Sequence, residues 1–295
     1  MTTIAKGAAR LDDWGVIRAH GEEAAKFLHS QLTQDFALLG LEEARFAGFC
    51  TAKGRLLATL IAWQADADTI LLALPRELLP AILKRLTMFV LRAKCKLSDA
   101  TAEVGLWGEL GAPDATPAWR LQRNGASVRI RLPDNGAHSR WLVAGATAPA
   151  GPEIPAADWH WSELEAGQPG VVGATSEQFV PQMLNLELLG GVNFQKGCYP
   201  GQEVVARSQY RGTLKRRTYL YETAGEAAPG QEIFHSEDPG QPAGLVANAA
   251  RRDGLSLLLA ETKIAALASG SLHLGAPDGP LLTPRALPYA LTEPQ

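Results

Sequence analysis

Residues 190–207, GGVNFQKGCYPGQEVVAR, decide how this chain is organised, because they place one thiol at a tight corner between two glycines. Gly197 and Gly201 allow close backbone approaches that a side chain would block. Pro200 presets φ for a turn or a helix start. The residues after Gly201 predict a helix, with a carboxylate in its first turn and a cation further along. The chain therefore turns at Cys198 immediately before a helix begins.

Cys198 is a candidate functional residue because of this placement. The unpaired N–H groups of a helix start and the ammonium of Lys196 favour thiolate over thiol, and we expect them to lower the thiol pKa. The alternative is a tight turn in which the small residue happens to be cysteine, since free cysteine is among the most often buried residues. The residues alone leave both interpretations open.

The same stretch resembles a family signature. KGCY at 196–199, followed by GQE at 201–203 and Ala206-Arg207, is similar to the signature of the YgfZ-like folate-binding proteins. These proteins are relatives of the aminomethyltransferase (T-protein) of glycine cleavage. Other segments resemble family positions in the same order along nearly the whole chain: LDDW at 11–14, TQD at 33–35, AKGR at 52–55, LEAG at 164–167, FVPQ at 179–182, Arg211-Gly212 with Lys215-Arg216, and LPY at 287–289.

Composition limits the classes of function. The chain has 295 residues, of which 46% are hydrophobic and 20% charged, which is typical of a soluble protein of two or three domains. The net charge of -3 provides no overall attraction to nucleic acid or anionic membranes. Cys50, Cys95 and Cys198 are widely spaced, as in a reducing compartment. Residues 1–10 lack an apolar signal core, and the sequence predicts no membrane segment and a cytoplasmic location.

The first part of the chain alternates strands and helices. Residue patterns predict strands at 13–19, 44–51, 56–63, 69–74 and 94–99. They also predict a helix at 21–32, a hairpin turn at Lys53-Gly54 and a helix that begins at Pro75. This order is typical of a split β-α-β unit, with helices on one face of a mixed sheet. The predicted class is therefore α+β.

Shorter elements follow. Strands are predicted at 103–108, 119–123, 127–131 and 140–143, with a strong hairpin turn at Asn124-Gly125. Residues 144–157 lack periodicity and predict a linker, and a short helix is predicted near 158–166. Beyond Gly212 the pattern is β-rich, with candidates at 215–222, 232–235, 243–250, 255–261, 271–274 and 281–287.

The resemblance implies an aminomethyltransferase-like, folate-binding body of mixed sheets with helices, followed by a small C-terminal β-barrel. We expect the body to span residues 1–213 in two lobes, with the linker near 144–157, and the barrel to span 214–295.

The resemblance also implies a cofactor, tetrahydrofolate or a derivative of it. Trp14 and Trp159 fall on positions that resemble the folate-contacting tryptophans of the family, although an arbitrary tryptophan is more often part of the core. Glu165 is a candidate partner for the amino edge of the pterin, because a carboxylate accepts two parallel N–H bonds. The alternative for Glu165 is a carboxylate on the helix surface.

A dense basic run follows the thiol and comprises Arg207, Arg211, Lys215, Arg216 and Arg217. Clustered cations suit polyglutamate tails or RNA phosphates, but such runs are usually solvated faces. Strand alternation places Arg216 on the opposite face from its neighbours, so only part of the run can serve one ligand. Direct RNA binding depends on charge alone and is not expected. The histidines show no metal-ligand spacing, so no resident metal site is predicted.

Two functions compete. The resemblance implies a folate-binding accessory factor, with Cys198 and Lys196 as working residues, that supports iron–sulfur cluster assembly or repair and, indirectly, tRNA modification. Its partners would be a reduced folate and iron–sulfur proteins or assembly factors. The alternative is a tetrahydrofolate-dependent aminomethyltransferase. T-proteins use an aspartate that this chain replaces with Ala58 and Thr59, which favours the accessory factor and leaves enzymatic turnover undecided.

Overall fold

A computed structural model describes residues 4–210 and 214–292, in which sixteen strands form three sheets accompanied by four α-helices. The strands are β1 Gly7–Arg10, β2 Trp14–His20, β3 Ala44–Cys50, β4 Leu56–Asp66, β5 Thr69–Pro75, β6 Lys96–Asp99, β7 Gly105–Gly111, β8 Leu121–Asn124, β9 Ser127–Leu132, β10 Ser139–Gly145, β11 Arg216–Thr223, β12 Glu232–His235, β13 Asp238–Arg252, β14 Leu255–Lys263, β15 Leu272–Leu274 and β16 Thr283–Arg285. The helices are α1 Ala24–Gln31, α2 Leu79–Phe89, α3 Ala156–Glu165 and α4 Gln202–Tyr210.

The first lobe is an antiparallel sheet in the order β3-β4-β5-β2-β6, with α1 and α2 packed against it. The predicted order of strands and helices is confirmed. The prediction that α2 begins at Pro75 was wrong. Pro75 ends β5 opposite Trp14, and the N–H of Leu78 returns to the Pro75 carbonyl, so a turn separates the strand from the helix.

The second lobe is a sheet in the order β1-β7-β10-β9-β8. The hairpin between β8 and β9 turns at Asn124 and at Gly125, whose φ is +60°, as the sequence predicted. The sequence did not reveal β1, which pairs with β7. The predicted linker is shorter than 144–157, because β10 extends to Gly145 and α3 begins at Ala156.

The C-terminal sheet curls into a small barrel, which confirms the predicted domain type. Its order is β15-β12-β13-β14-β11-β16. Pro280 and Leu282 form backbone hydrogen bonds with β15, and β16 follows at once and pairs with β11. One continuous segment therefore contacts both edges of the sheet. Closure of this kind removes the exposed edges that an open sheet would present.

Body and barrel share one hydrophobic core. Leu257 and Leu259 of β14 belong to the same buried cluster as Leu164 of α3, whereas Leu258 between them belongs to the interior of the barrel. This division follows from the two-residue period of a strand. The boundary at residue 213 stays a prediction. Within residues 4–210 and 214–292, no helix is long and apolar enough to cross a membrane.

Candidate ligand cavity and thiol corner

A cavity of about 570 Å³ lies where the first sheet, α3 and β13 meet. This volume is within the range of small-molecule sites, which are mostly apolar with a few convergent polar groups. Its lining includes Trp14, Phe46, Thr59, Ile61, Arg76, Glu77, His160, Glu163, Leu164, Gln168, Gly170 and Asn248. The lining therefore combines an aromatic and aliphatic surface with carboxylates and one imidazole.

The polar end of this cavity is built around His160. Its Nε2 atom lies 3.3 Å from a carboxylate oxygen of Asp13, and its Nδ1 atom lies 3.0 Å from one of Glu163. Burial opposes the positive charge of His160, but the hydrogen bond and charge of Glu163, with the charge of Asp13, outweigh it and raise the His160 pKa. Burial raises the pKa of Asp13. Two carboxylates thus face the cavity, held by one imidazole.

Arg140 supports the His160–Glu163 pair from the protein interior. Its side chain is fully buried, stacks at 4.8 Å on the Trp159 ring and donates to the amide oxygen of Gln168 at 3.1 Å. Its Nη2 atom lies 3.8 Å from Glu163. Burial lowers the Arg140 pKa to about 10, so the guanidinium stays charged at neutral pH and offsets the nearby carboxylates.

A backbone strap at residues 168–173 forms another wall. The N–H of Gly170 donates to Asn248 at 2.7 Å, the N–H of Val171 to the Thr59 hydroxyl at 3.0 Å, and the N–H of Gly173 to Glu77 at 2.8 Å. Val171 is buried, and buried backbone groups require such partners. The strap therefore holds the barrel and the first lobe in fixed positions around the cavity.

The thiol corner, residues 196–201, is a second candidate site. It lies outside the cavity lining. Cys198 is exposed and precedes α4, as the sequence predicted. Gly201 has φ +82°, and a Cβ atom there would stand 2.4 Å from the Thr51 carbonyl oxygen. Only glycine fits this close approach to the turn between β3 and β4. The tight corner at Cys198 is thus held by the first sheet.

Lys196 is directed at the backbone of α1. Its side chain is 7% exposed, and its ammonium donates to the carbonyl oxygens of Leu32, at 2.7 Å, and of His29. It also lies 4.8 Å from the centre of the Tyr199 ring. Burial lowers the Lys196 pKa to about 8, with the charges of Asp35 and Cys198 acting in the other direction. Lys196 therefore caps the C-terminal end of α1.

Comparison with known proteins identifies the family. No family model matches the chain. The tRNA-modifying protein YgfZ of Pectobacterium carotovorum subsp. carotovorum is 32% identical over 242 residues, 74% of this chain and 70% of the relative. That of Pectobacterium atrosepticum is 31% identical over 252 residues, 77% and 72% of the two chains. The chain belongs to the YgfZ family. The Sodalis glossinidius YgfZ protein, 29% identical, extends the match to 96% of this chain and 93% of the relative.

A solved structure similar to this YgfZ-family chain is the glycine cleavage system aminomethyltransferase T from Bartonella henselae. The TM-score is 0.74, with coverage of 97% of this chain and 87% of the other, and the sequence identity is 16%. At this identity the likeness shows the fold alone. It confirms the predicted aminomethyltransferase-like architecture.

The structure separates the residues that the family resemblance singled out. Trp14 lines the cavity. Trp159 is 1% exposed and lies behind the lining, where a Cβ atom on Gly108 would stand 2.1 Å from its ring. Glu165 lies outside the lining. It accepts hydrogen bonds from the Trp161 indole at 3.0 Å and from the side-chain amide of Asn135 at 2.9 Å. The folate roles of Trp159 and Glu165 stay predictions.

Asp13, His160 and Glu163 were not identified from the sequence. His160 and Glu163 are three residues apart on α3, so they share a face of that helix. Asp13 directly precedes Trp14 in the segment that resembles the family. A polar residue beside a predicted ligand-contacting tryptophan was the available signal.

The basic run is divided between ion pairs. Arg216 pairs with Glu261 at 2.8 Å, whereas Arg217 is buried and pairs with Glu187. Arg207 lies exposed in the last turn of α4, and Arg211 lies outside the described residues. Arg216 and Arg217 therefore have separate partners, as expected for neighbouring residues that strand alternation places on opposite faces.

Proposed function

We propose that this YgfZ-family chain binds a reduced folate, tetrahydrofolate or a derivative, in the cavity beside Trp14. One observation carries the proposal: an aromatic face lies in the same cavity as the carboxylates of Asp13 and Glu163, bridged by His160. A pterin is flat and presents N–H donors on one edge, which suit an aromatic surface and carboxylate acceptors. Arg76, exposed in the lining, suits the carboxylates of a glutamyl tail.

The wider role follows the relatives, which are named tRNA-modifying proteins. We place the chain as an accessory factor that supports iron–sulfur cluster assembly or repair in the cytoplasm and thereby tRNA modification. A bound folate would supply one-carbon chemistry. The chain's own groups orient the ring through Trp14 and the polar end, while the strap at residues 168–173 covers one side of the cavity.

Cys198 is the proposed working thiol of this accessory role. Burial raises the pKa of Cys50 to about 12 and of Cys95 to about 11, whereas Cys198 is exposed. Across the described ranges no group of three or more His, Cys, Asp or Glu side chains is arranged to hold a metal ion. One thiol provides one of the four ligands of a typical cluster, so Cys198 suits a nucleophile or a transient ligand.

The alternative is an aminomethyltransferase. Ala58 is fully buried, and the Thr59 hydroxyl already accepts a hydrogen bond from Val171, so neither supplies the carboxylate of a T-protein. The cavity nevertheless contains Asp13 and Glu163 at other positions. A turnover assay with tetrahydrofolate and an aminomethyl donor distinguishes the two functions, and we expect no useful production of methylene-tetrahydrofolate.

Calorimetric titration with tetrahydrofolate tests the cavity. We expect Trp14→Ala to weaken binding by about tenfold or more, because stacking on an aromatic face contributes roughly 1–3 kcal/mol. Glu163→Gln and Glu165→Gln form a matched pair on α3. We expect the first to weaken binding and the second to leave it near the wild-type value. The reverse order would assign the pterin edge to Glu165, and unchanged binding in all three variants would disprove the cavity assignment.

A cellular assay tests the thiol separately. Cys198→Ser should abolish the support of cluster-dependent tRNA-modifying enzymes while folate affinity and folding are retained, since serine is nearly isosteric with cysteine. Full complementation by this variant would show that the motif is a structural corner.

A further inference from the structure

The segment that follows α1 is attached by a set of hydrogen bonds to residues 190–193, which lead into the thiol corner. Thr33 donates from its hydroxyl to the Gly191 carbonyl at 2.6 Å, and Asn193 N–H donates to the Thr33 carbonyl at 2.9 Å. The Gln34 amide donates to the Gly190 carbonyl at 2.6 Å. These contacts place the side chains that flank Thr33 beside the backbone that carries Cys198.

Two of those side chains form an imidazole–carboxylate pair. The Nδ1 atom of His29 lies 3.0 Å from Oδ1 of Asp35, and the two side chains are 21% and 14% exposed. Burial alone would raise the Asp35 pKa, but hydrogen bonds from the Leu38 N–H and from His29, with the His29 charge, outweigh it and lower that pKa. Asp35 is therefore ionised at neutral pH and accepts a hydrogen bond.

This pairing determines which nitrogen of His29 is free. An ionised carboxylate can only accept, so Nδ1 carries the hydrogen in the contact with Asp35. The Ala37 N–H lies 3.4 Å from the same nitrogen, a longer contact than the 3.0 Å one. In neutral His29 the Nε2 atom is then the basic position, as in other imidazoles oriented by a carboxylate.

The Nε2 atom faces the thiol corner. It lies 3.4 Å from the point where a Cβ would stand on Gly197, and apart from Gly197 and its two chain neighbours it is the nearest heavy atom to that point. Gly197 is the neighbour of Cys198. Lys196, on the other side of Gly197, donates to the His29 carbonyl, and its charge interacts with both Asp35 and Cys198. A base, its orienting carboxylate and an ammonium therefore lie beside the two residues that precede the exposed thiol.

We propose that His29, oriented by Asp35, accepts the proton of the Cys198 thiol and so makes Cys198 a nucleophile. The proton moves from Sγ to Nε2, a sulfur lone pair forms the new bond to an electrophilic carbon or sulfur, and the leaving group departs with its electron pair. The imidazolium then returns the proton to solvent or to the leaving group. This proposal rests on the proposed role of Cys198 as the working thiol. The activation of the thiol by His29 can be tested separately, because it changes the reactivity of Cys198 whatever the cellular role is.

Alkylation with iodoacetamide, followed by peptide mass spectrometry, provides the test. The reaction forms a sulfur–carbon bond and releases iodide. Rates are measured from about pH 6 to about pH 9 for the wild type, His29→Gln and Asp35→Asn. The charged groups that the structure places around His29 are Asp35 and Lys196, with Arg45 bonded to the Asp35 carbonyl. His20→Gln is the matched control, because His20 contacts the Thr69 hydroxyl away from the thiol.

We expect Cys198 to be the first thiol labelled in the wild type. His29→Gln should slow labelling at pH 7 by about tenfold and move the pH profile to more alkaline values, Asp35→Asn should act in the same direction, and His20→Gln should change neither. Buried Cys50 reports unfolding, because it becomes reactive only when a variant loses its structure.

An unchanged pH profile in a folded His29→Gln variant would overturn the proposal, as would preferential labelling of Cys95 in the wild type. The cellular assay of Cys198→Ser fails or succeeds independently, so loss of the accessory function and loss of thiol activation are distinguishable.

Discussion

A Cβ atom on Gly201 would stand 2.6 Å from the Cα atom of Gly54, so the thiol corner and the turn between β3 and β4 touch backbone to backbone. Both glycines have positive φ, +82° and +72°. Two segments that resemble family positions, AKGR and KGCYPGQE, are therefore in direct contact. Their glycines allow α4 to begin against the first sheet.

We predict that Gly201→Ala lowers the free energy of unfolding by about 3 kcal/mol or more, because backbone strain and overpacking act together. Chemical denaturation measures this loss in the free energy of unfolding. Gly125→Ala combines φ +60° with open space and should cost about 1 kcal/mol. Gly240→Ala has open space without positive φ and should change stability by no more than about 0.5 kcal/mol. Equal losses in all three variants would contradict the close approach.

Lys196→Met should lower the free energy of unfolding by about 1–3 kcal/mol at pH 7, because carbonyl oxygens at the end of α1 lose their donor. The loss should grow with pH. The folded Lys196 pKa of about 8 is below the ordinary 10.5, so between these values the unfolded wild type binds more protons and its folded state gains stability relative to the variant.

Denaturation at about pH 7 and about pH 9 tests this dependence. Lys84→Met, at an exposed position on α2, is the control and should show no widening difference. A Lys196→Met loss that shrinks as pH rises would contradict the burial of this ammonium.

His160 should stabilise the protein at low pH. Its folded pKa is raised above 6.5, so its contribution is fully present below about pH 6.5 and is lost as pH rises through the raised value. His160→Gln should therefore cost about 1 kcal/mol more near pH 5.5 than near pH 8.5, measured by denaturation at both pH values. His273→Gln is the control, because that ring contacts a carbonyl and a hydroxyl. A larger loss of stability at the higher pH would show that Asp13 and Glu163 do not stabilise the charged form of His160.

Arg217 should be essential for joining the barrel to the body. Its guanidinium and the Glu187 carboxylate are both buried, so Arg217→Met leaves an unpaired buried charge and should cost about 3–5 kcal/mol. Arg285→Met breaks the more exposed pair with Glu222 and should cost about 1 kcal/mol or less. Urea unfolding followed by two probes, one in each domain, measures both. Similar losses in the two variants would show that burial of the Arg217 pair adds nothing.

Local patterns predicted most elements, and the exceptions have physical causes. The strand β1 is four residues, GAAR, too short and too small in side-chain size to show alternation. The strand β13 spans fifteen residues because its first part pairs with β12 and its second with β14, across irregular registers. Pairing with other strands, rather than a pattern within the segment itself, determines the bounds of both strands.

Sequence patterns were also insufficient to decide which single residues line the cavity. The family resemblance pointed to Glu165, whose folate role stays a prediction, whereas the cavity lining contains Glu163 of the same helix. Residues two apart on a helix point about 200° away from each other, so the two carboxylates face different surroundings. Motif similarity identifies a segment, whereas the docking of α3 decides which of its faces meets a ligand.

The sequence by itself determined the corner at Cys198, the helix after it, the order of most elements and the family, because these depend on short-range backbone preferences and on motifs. Only the tertiary structure decided that Asp13 meets His160, that Lys196 caps α1, and that Arg217 is buried with Glu187. Each of these contacts joins residues from separate elements. Burial and partner choice arise when those elements pack, and no local pattern encodes them.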